Sequence, residues 1–167
     1  MLLILGTVGC DQAAKSIARA SLPLSLPVPI GRLATLFLTE NTGAFLSVGS
    51  ELPDAVRFWV LGVVLSLALL IGLLYLAASE ISERTRIAAA LVAGGGVSNG
   101  LDRLLHAGGV TDFLVLHLGP LRTGVFNLAD VAISTGVGLL GFALWRRSRT
   151  APLSERTSAK NRRGRAS

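Results

Sequence analysis

A single cysteine, Cys10, stands among 167 residues, which excludes an intramolecular disulfide and a cysteine-based metal cluster. Acidic residues are scarce too, with ten Asp and Glu against sixteen Lys and Arg. Charged residues make up only 16% of the chain and hydrophobic ones 51%, with a mean hydropathy of +0.61. A soluble domain carries about 25% charged residues, so lipid is the expected solvent. The basic excess is not spread over a surface. Residues 146 to 167 hold eight of the sixteen Lys and Arg and one acid, Glu155, for a net +7 that leaves −1 for the rest. A basic tail on a hydrophobic body argues against a nucleic-acid partner. With almost nothing large and apolar to bury, the tail is expected to be disordered and to touch anionic lipid.

What is present is a set of long apolar runs. Phe58 to Ala78 is 21 residues without a charge, matching the roughly 20 residues that cross about 30 Å of hydrocarbon. Val125 to Trp145 is another such run, interrupted by Asn127 and Asp130 and ending at Arg146, Arg147 and Arg149. Ile87 to Leu105 is rich in small residues, including Gly94, Gly95 and Gly96, which suits a helix packed inside a bundle. The start is apolar only to Cys10, so a span over residues 1–20 requires Asp11 and Lys15 to face the bundle or reach the interface. These runs predict an all-α membrane protein with four transmembrane helices, at about 1–20, 58–78, 87–105 and 125–145. A small β-structured extramembrane cap is expected between the first two, from the run Leu33 to Thr39, ending in a turn at Asn41 to Phe45 where Gly43 can take positive φ. Basic residues near the helix ends (Arg84, Arg86 and the Arg146 cluster) place both termini in the cytoplasm.

That topology gathers the polar residues at one membrane face. Asn99, Asp102 and Arg103 share a side of the third helix, and Asn127 and Asp130 are three apart on the fourth. Asp112 is expected in a turn opened by Gly108-Gly109, and Asp130 roughly 7 Å inside the fourth helix. An ionisable group at such depth is by default a functional-site hypothesis. Two carboxylates meeting in a low-dielectric site share a proton. The ionised one can deprotonate a water that attacks a peptide carbonyl, while the protonated one donates to the developing oxyanion. Asp102, beside Arg103, reads instead as an ion pair.

Four ordered blocks carry a family resemblance: Asp11-Gln12-Ala13-Ala14-Lys15, Asn41-Thr42-Gly43-Ala44-Phe45, Asn99-Gly100-Leu101-Asp102-Arg103 running to Val110-Thr111-Asp112-Phe113, and Phe126-Asn127-Leu128-Ala129-Asp130. In these the chain resembles the lipoprotein signal peptidases, or signal peptidase II, over residues 1 to 147. The resemblance implies an aspartyl endopeptidase of the bacterial cytoplasmic membrane, active near the outer face; a monomer needing no cofactor or metal is expected. Its substrate would be a diacylglyceryl-modified prolipoprotein, cut just before the lipidated cysteine. Asp112 and Asp130 would be the catalytic pair. Asp11, Asn41, Gly43, Phe45, Asn99, Asp102, Arg103 and Asn127 would support the site or contact substrate. The protease domain would occupy residues 1–149, and 150–167 the basic cytoplasmic tail. Two departures stand out: the second block lacks one Ala of the usual Asn-x-Gly-Ala-Ala-Phe-Ser, and Ser98 replaces the Gly usual before Asn99.

Competing readings are weaker. Thr7-Val8-Gly9-Cys10 resembles a lipobox, yet it lacks a basic segment before it, and a cleaved lipoprotein would not need three further spans. His106 and His117 match no metal-ligand spacing, and the glycine triplet has neither the strand nor the Lys of a phosphate loop. Phe45 and Trp59 read as interfacial anchors. The remaining alternative is a non-proteolytic polytopic protein, a lipid-binding factor or transporter on the same scaffold.

Overall fold

The computed structural model describes residues 1–43, 53, 56, 72 and 81–150. Apart from residue 72, the predicted span at 58–78 lies outside the described residues, as do Phe45 and the tail beyond residue 150. Among the described residues seven elements follow in order: α1 (Leu2–Ser21), β1 (Val28–Ile30), β2 (Ala34–Asn41), α2 (Glu83–Leu105), β3 (Val110–Leu118), β4 (Leu121–Arg122) and α3 (Leu128–Thr150).

The helices are built inside out relative to a soluble protein. Leu2, Leu5, Leu104 and Leu144 are 62 to 87% exposed, while Asp11, Lys15 and Asp102 are fully buried. Such a distribution is stable only where the surrounding medium is apolar. Among the described residues, Leu128–Arg146 of α3 is the one stretch long and apolar enough to cross a membrane by composition alone. Asp11 and Lys15 of α1 and Asp102 of α2 face inward and lower the average, while Glu83, Arg84 and Arg86 are exposed at the start of α2.

Backbone approach replaces a large apolar core. A Cβ on Gly95 of α2 would stand 2.5 Å from the Ala129 carbonyl oxygen, and one on Gly136 of α3 would stand 2.5 Å from that of Ala88. The two contacts run in opposite chain directions, so α2 and α3 are antiparallel and nearly touching. Glycine is what permits this, because packing rather than water exclusion drives helix association in lipid. Gly94, on the adjoining face, meets Thr7 of α1.

Both helix starts depart from the expected bounds for local reasons. α2 begins at Glu83 rather than 87, where the Ser82 side chain caps it by accepting from the Thr85 amide at 3.3 Å. α3 begins at Leu128 rather than 125, since Phe126 bridges to Leu114 of β3 in strand fashion. Asp130 is therefore in the first turn of its helix, shallower than the composition suggested.

The cap is a four-stranded antiparallel sheet in the order β1-β2-β3-β4. Only half of it comes from the segment after α1. The turn after α2, with Ala107 and Gly108 at φ 50° and 89°, sends Val110–Leu118 back as the strand that pairs with β2, Thr39 opposite Asp112. Asp112, expected in a turn, is thus on a strand. β3 is rich in β-branched and aromatic residues at its start, Val110, Thr111 and Phe113, a signal overshadowed in the sequence by the neighbouring apolar spans.

Candidate active site

The start of α3 organises the site. Asn127 Oδ1 accepts the Asp130 amide at 2.9 Å, and Asp130 Oδ2 accepts the Asn127 amide at 3.3 Å, the reciprocal pairing of a capping box. Asp11 completes it from α1, its Oδ1 taking the Ala129 amide at 2.8 Å. Two carboxylates and one carboxamide thus satisfy amides that the helix cannot. The N-terminal end of the helix dipole favours this negative charge.

Asn127 also reaches the second aspartate. Its Nδ2 donates to Asp112 Oδ1 at 2.7 Å, while Asn41, at the end of β2, donates to Asp112 Oδ2 at 3.0 Å. Asp130 is held likewise, with Asn99 Nδ2 donating to its Oδ1 at 3.0 Å. One residue, Asn127, therefore ties both carboxyl groups to a common frame, Asp112 through its side chain and Asp130 through its backbone amide. Asp112 is 2% exposed, and burial pushes its carboxyl up from 3.8 to about 6. The charge of Asp130 adds to the rise, against opposing hydrogen bonds from Asn41 and Asn127.

Beneath the pair lies a charge cluster. Lys15, fully buried, bonds to Asp11 at 2.8 Å, Asp102 at 3.1 Å and Asn99 Oδ1 at 2.8 Å. Asp102 is thus the partner of Lys15 rather than of the adjacent Arg103. Its carboxylate also accepts the Thr111 amide at 2.9 Å and Gln12 Nε2 at 3.1 Å, fixing the strand that carries Asp112. Ser98 donates to Asp11 at 2.7 Å, so the Ser found where glycine was expected adds a bond. Lys15, Gln12, Ser98 and Thr111 were not singled out as site residues. The available signal was Lys15 four residues after Asp11 inside an apolar run.

Arg103 points elsewhere, donating through Nη2 to the Gly43 carbonyl at 2.9 Å. Asn41 holds the same loop, its Oδ1 accepting the Gly43 amide at 3.0 Å. The Nε of Arg103 has no hydrogen-bond partner among the described residues. A cavity of about 520 Å³ adjoins Asp130, lined by it with Val131, Ser134 and Thr135 of α3 and by the segment from Arg122 to Phe126. The histidines serve separate places: His106 contacts the Asp102 carbonyl, and His117 bonds to Thr35.

Of the ten residues expected at the site, nine are described and eight of those, all but Gly43, bear side chains bonded into this network or the loop beside it. Residues 3–146 match the model of the Signal peptidase (SPase) II family. The chain belongs to the signal peptidase II family. It is 36% identical over 153 residues to the lipoprotein signal peptidase of Azoarcus sp. (strain BH72), covering 91% of this chain and 85% of that one. To that of Xylella fastidiosa (strain M12) it is 37% identical over 148 residues, covering 84% and 86%. To that of Brucella ovis it is 32% identical over 154 residues, covering 89% and 92%. In fold it is similar to a bacterial membrane enzyme solved by the in meso method at 2.3 Å resolution, with a TM-score of 0.78 and 24% identity over 91% of this chain and 90% of that one.

Proposed function

We propose that Asp112 and Asp130 are the catalytic pair with which this signal peptidase II removes signal peptides from prolipoproteins. The observation that carries the reading is the bridge through Asn127, which bonds to both carboxyl groups at the edge of an open cavity. One carboxyl group retains a proton while the other is ionised, and the pair titrates as a unit. The ionised member takes a proton from a water attacking the scissile carbonyl. The protonated member donates to the carbonyl oxygen as it becomes tetrahedral; the proton taken from water then passes to the leaving amine as the C–N bond breaks, and the oxygen-bound proton returns to the member that gave it. Arg103, with a spare Nε–H and a grip on the Gly43 loop, is suited to hold substrate beside the pair.

The substrate is a diacylglyceryl-modified prolipoprotein cut before its lipidated cysteine, and the enzyme is a monomeric four-span protein of the cytoplasmic membrane. Residues 58–78 supply the remaining span, both termini are cytoplasmic and the sheet lies at the outer face, as the Arg84, Arg86 and Arg146 distribution supports. Residues 1–149 form the protease domain, and Phe45 is a further candidate for contact with substrate.

The test is incubation of purified protein with a lipidated prolipoprotein. Wild type is expected to cut, and Asp112→Asn and Asp130→Asn to lose about 10²–10⁴-fold or more while remaining folded. Full activity in either variant, or no cutting by wild type where another family member cuts, would sink the assignment.

A further inference from the structure

At the end of the bundle away from the aspartates is a second cavity, of about 670 Å³, between the start of α2 and the last turns of α3. Ser82, Arg84 and Ile87 line one side, and Leu139, Phe142 and Arg146 the other. Because the two helices are antiparallel, Arg84 is separated from Asn99, which bonds to Asp130, by 15 residues of α2, or about 22 Å. The catalytic machinery makes no use of it.

The cavity joins two chemistries. Ile87, Leu139 and Phe142, which line it, are apolar and 43 to 56% exposed, while Arg84 and Arg146 bring two guanidinium groups. Arg86 and Arg149 add charge nearby, and Glu83 is the one acid among residues 81–86 and 142–150. An aromatic girdle marks the depth. Trp145 stacks on Phe142 with centroids 5.8 Å apart, and the Arg149 guanidinium lies 4.5 Å over the Trp145 ring. Tryptophan paired with arginine at the end of an apolar span sits at the boundary between headgroups and acyl chains. The guanidinium groups are then at phosphate height and Ile87, Leu139 and Phe142 at chain height.

We propose that this cavity binds an anionic phospholipid, with Arg84 and Arg146 on the phosphate-bearing headgroup and an acyl chain against Ile87, Leu139 and Phe142. A free anion would leave the apolar wall uncovered, and a zwitterionic lipid would bring no net charge to the arginines. Basic clefts between transmembrane helices are suited to this ligand class. The inference rests on membrane placement and is independent of the roles given to Asp112 and Asp130.

Trp145 provides the readout, since the sequence has one other tryptophan, Trp59. In a Trp59→Phe protein reconstituted into phosphatidylcholine vesicles, brominated phosphatidylglycerol is compared with brominated phosphatidylcholine as a quencher at equal mole fraction. Half-maximal quenching is expected at a mole fraction about fivefold or more lower for the anionic lipid, and Arg84→Gln and Arg146→Gln should each lose about fivefold of that preference. Equal quenching by the two lipids in the parent overturns the proposal, as does a preference that survives both substitutions. Displacement by inorganic phosphate would also overturn it, reassigning the site to a soluble anion. Prolipoprotein cleavage in the same vesicles reports on the catalytic reading separately.

Discussion

Lys15 and Asn99 are joined by a 2.8 Å hydrogen bond, and the other end of the Asn99 carboxamide donates to Asp130 at 3.0 Å. The ammonium fixes which way that carboxamide faces: its oxygen is held by Lys15, so its nitrogen must serve Asp130. A charge on α1 thereby orients a donor on α2 toward a carboxylate on α3.

Removing Lys15 leaves Asp11 buried without its counter-ion and Asp102 with only the more distant Arg19, at 3.8 Å. Lys15→Met is expected to cost about 3–5 kcal/mol, read as a loss of thermal stability in detergent together with cleavage. Adding Asp11→Asn removes one of the stranded charges while keeping an oxygen for the Ala129 amide. The double variant should recover a substantial part of the loss. No recovery would mean that the cluster acts by packing rather than charge.

The raised Asp112 carboxyl gives stability a pH dependence of known sign. Below pH 3.8 the group is protonated in folded and unfolded chains alike. Between 3.8 and about 6 the unfolded chain releases the proton while the folded one retains it, so stability falls as pH rises, by roughly 3 kcal/mol once pH exceeds the folded value. Asp112→Asn removes this loss, but an amide cannot accept from both Asn41 and Asn127, which costs about 1 kcal/mol. Melting curves of the variant and wild type should therefore cross, the variant being the less stable at pH 4 and the more stable at pH 7. Parallel pH profiles would show that Asp112 does not titrate in this range.

Asn127→Ala tests the frame of the site. It removes the donor to Asp112 at 2.7 Å and the acceptor for the Asp130 amide at 2.9 Å. Cleavage should fall about 10²-fold or more, with about 1 kcal/mol of stability lost with the cap. A variant as active as wild type would show that the pair is positioned by other contacts.

The glycines separate packing from conformational freedom. Gly95→Ala and Gly136→Ala each place a Cβ 2.5 Å from a carbonyl oxygen, whereas Gly138 and Gly141 have nothing within 4 Å. The first two should destabilise by about 1–3 kcal/mol, and the last two should be neutral or mildly stabilising. Equal effects at all four positions would contradict the close helix approach.

The sites were legible where chemistry and spacing coincide. Asn127 and Asp130, three residues apart at the mouth of an apolar run, form the capping box that such spacing permits. The Asn41 block likewise lands on Asp112. Less legible was everything set by partners distant in sequence. Asp102 stands beside Arg103, so the chain suggested a local pair, but adjacent helical residues point in different directions and the carboxylate reaches Lys15 instead. β3 was hidden because Val110–Leu118 is apolar enough to pass for a loop between membrane spans. Its strand character depends on β2, about 70 residues earlier.

The bond from Asp11 to the Ala129 amide spans 118 residues and has a consequence for biogenesis. Translation runs from α1 to α3, so the first helix is made with an acceptor whose donor has not yet been synthesised. The network that holds the start of α3 cannot be completed on a partly made chain. With Asp112 and Asp130 as the proposed catalytic pair, cleavage therefore waits on the synthesis of α3.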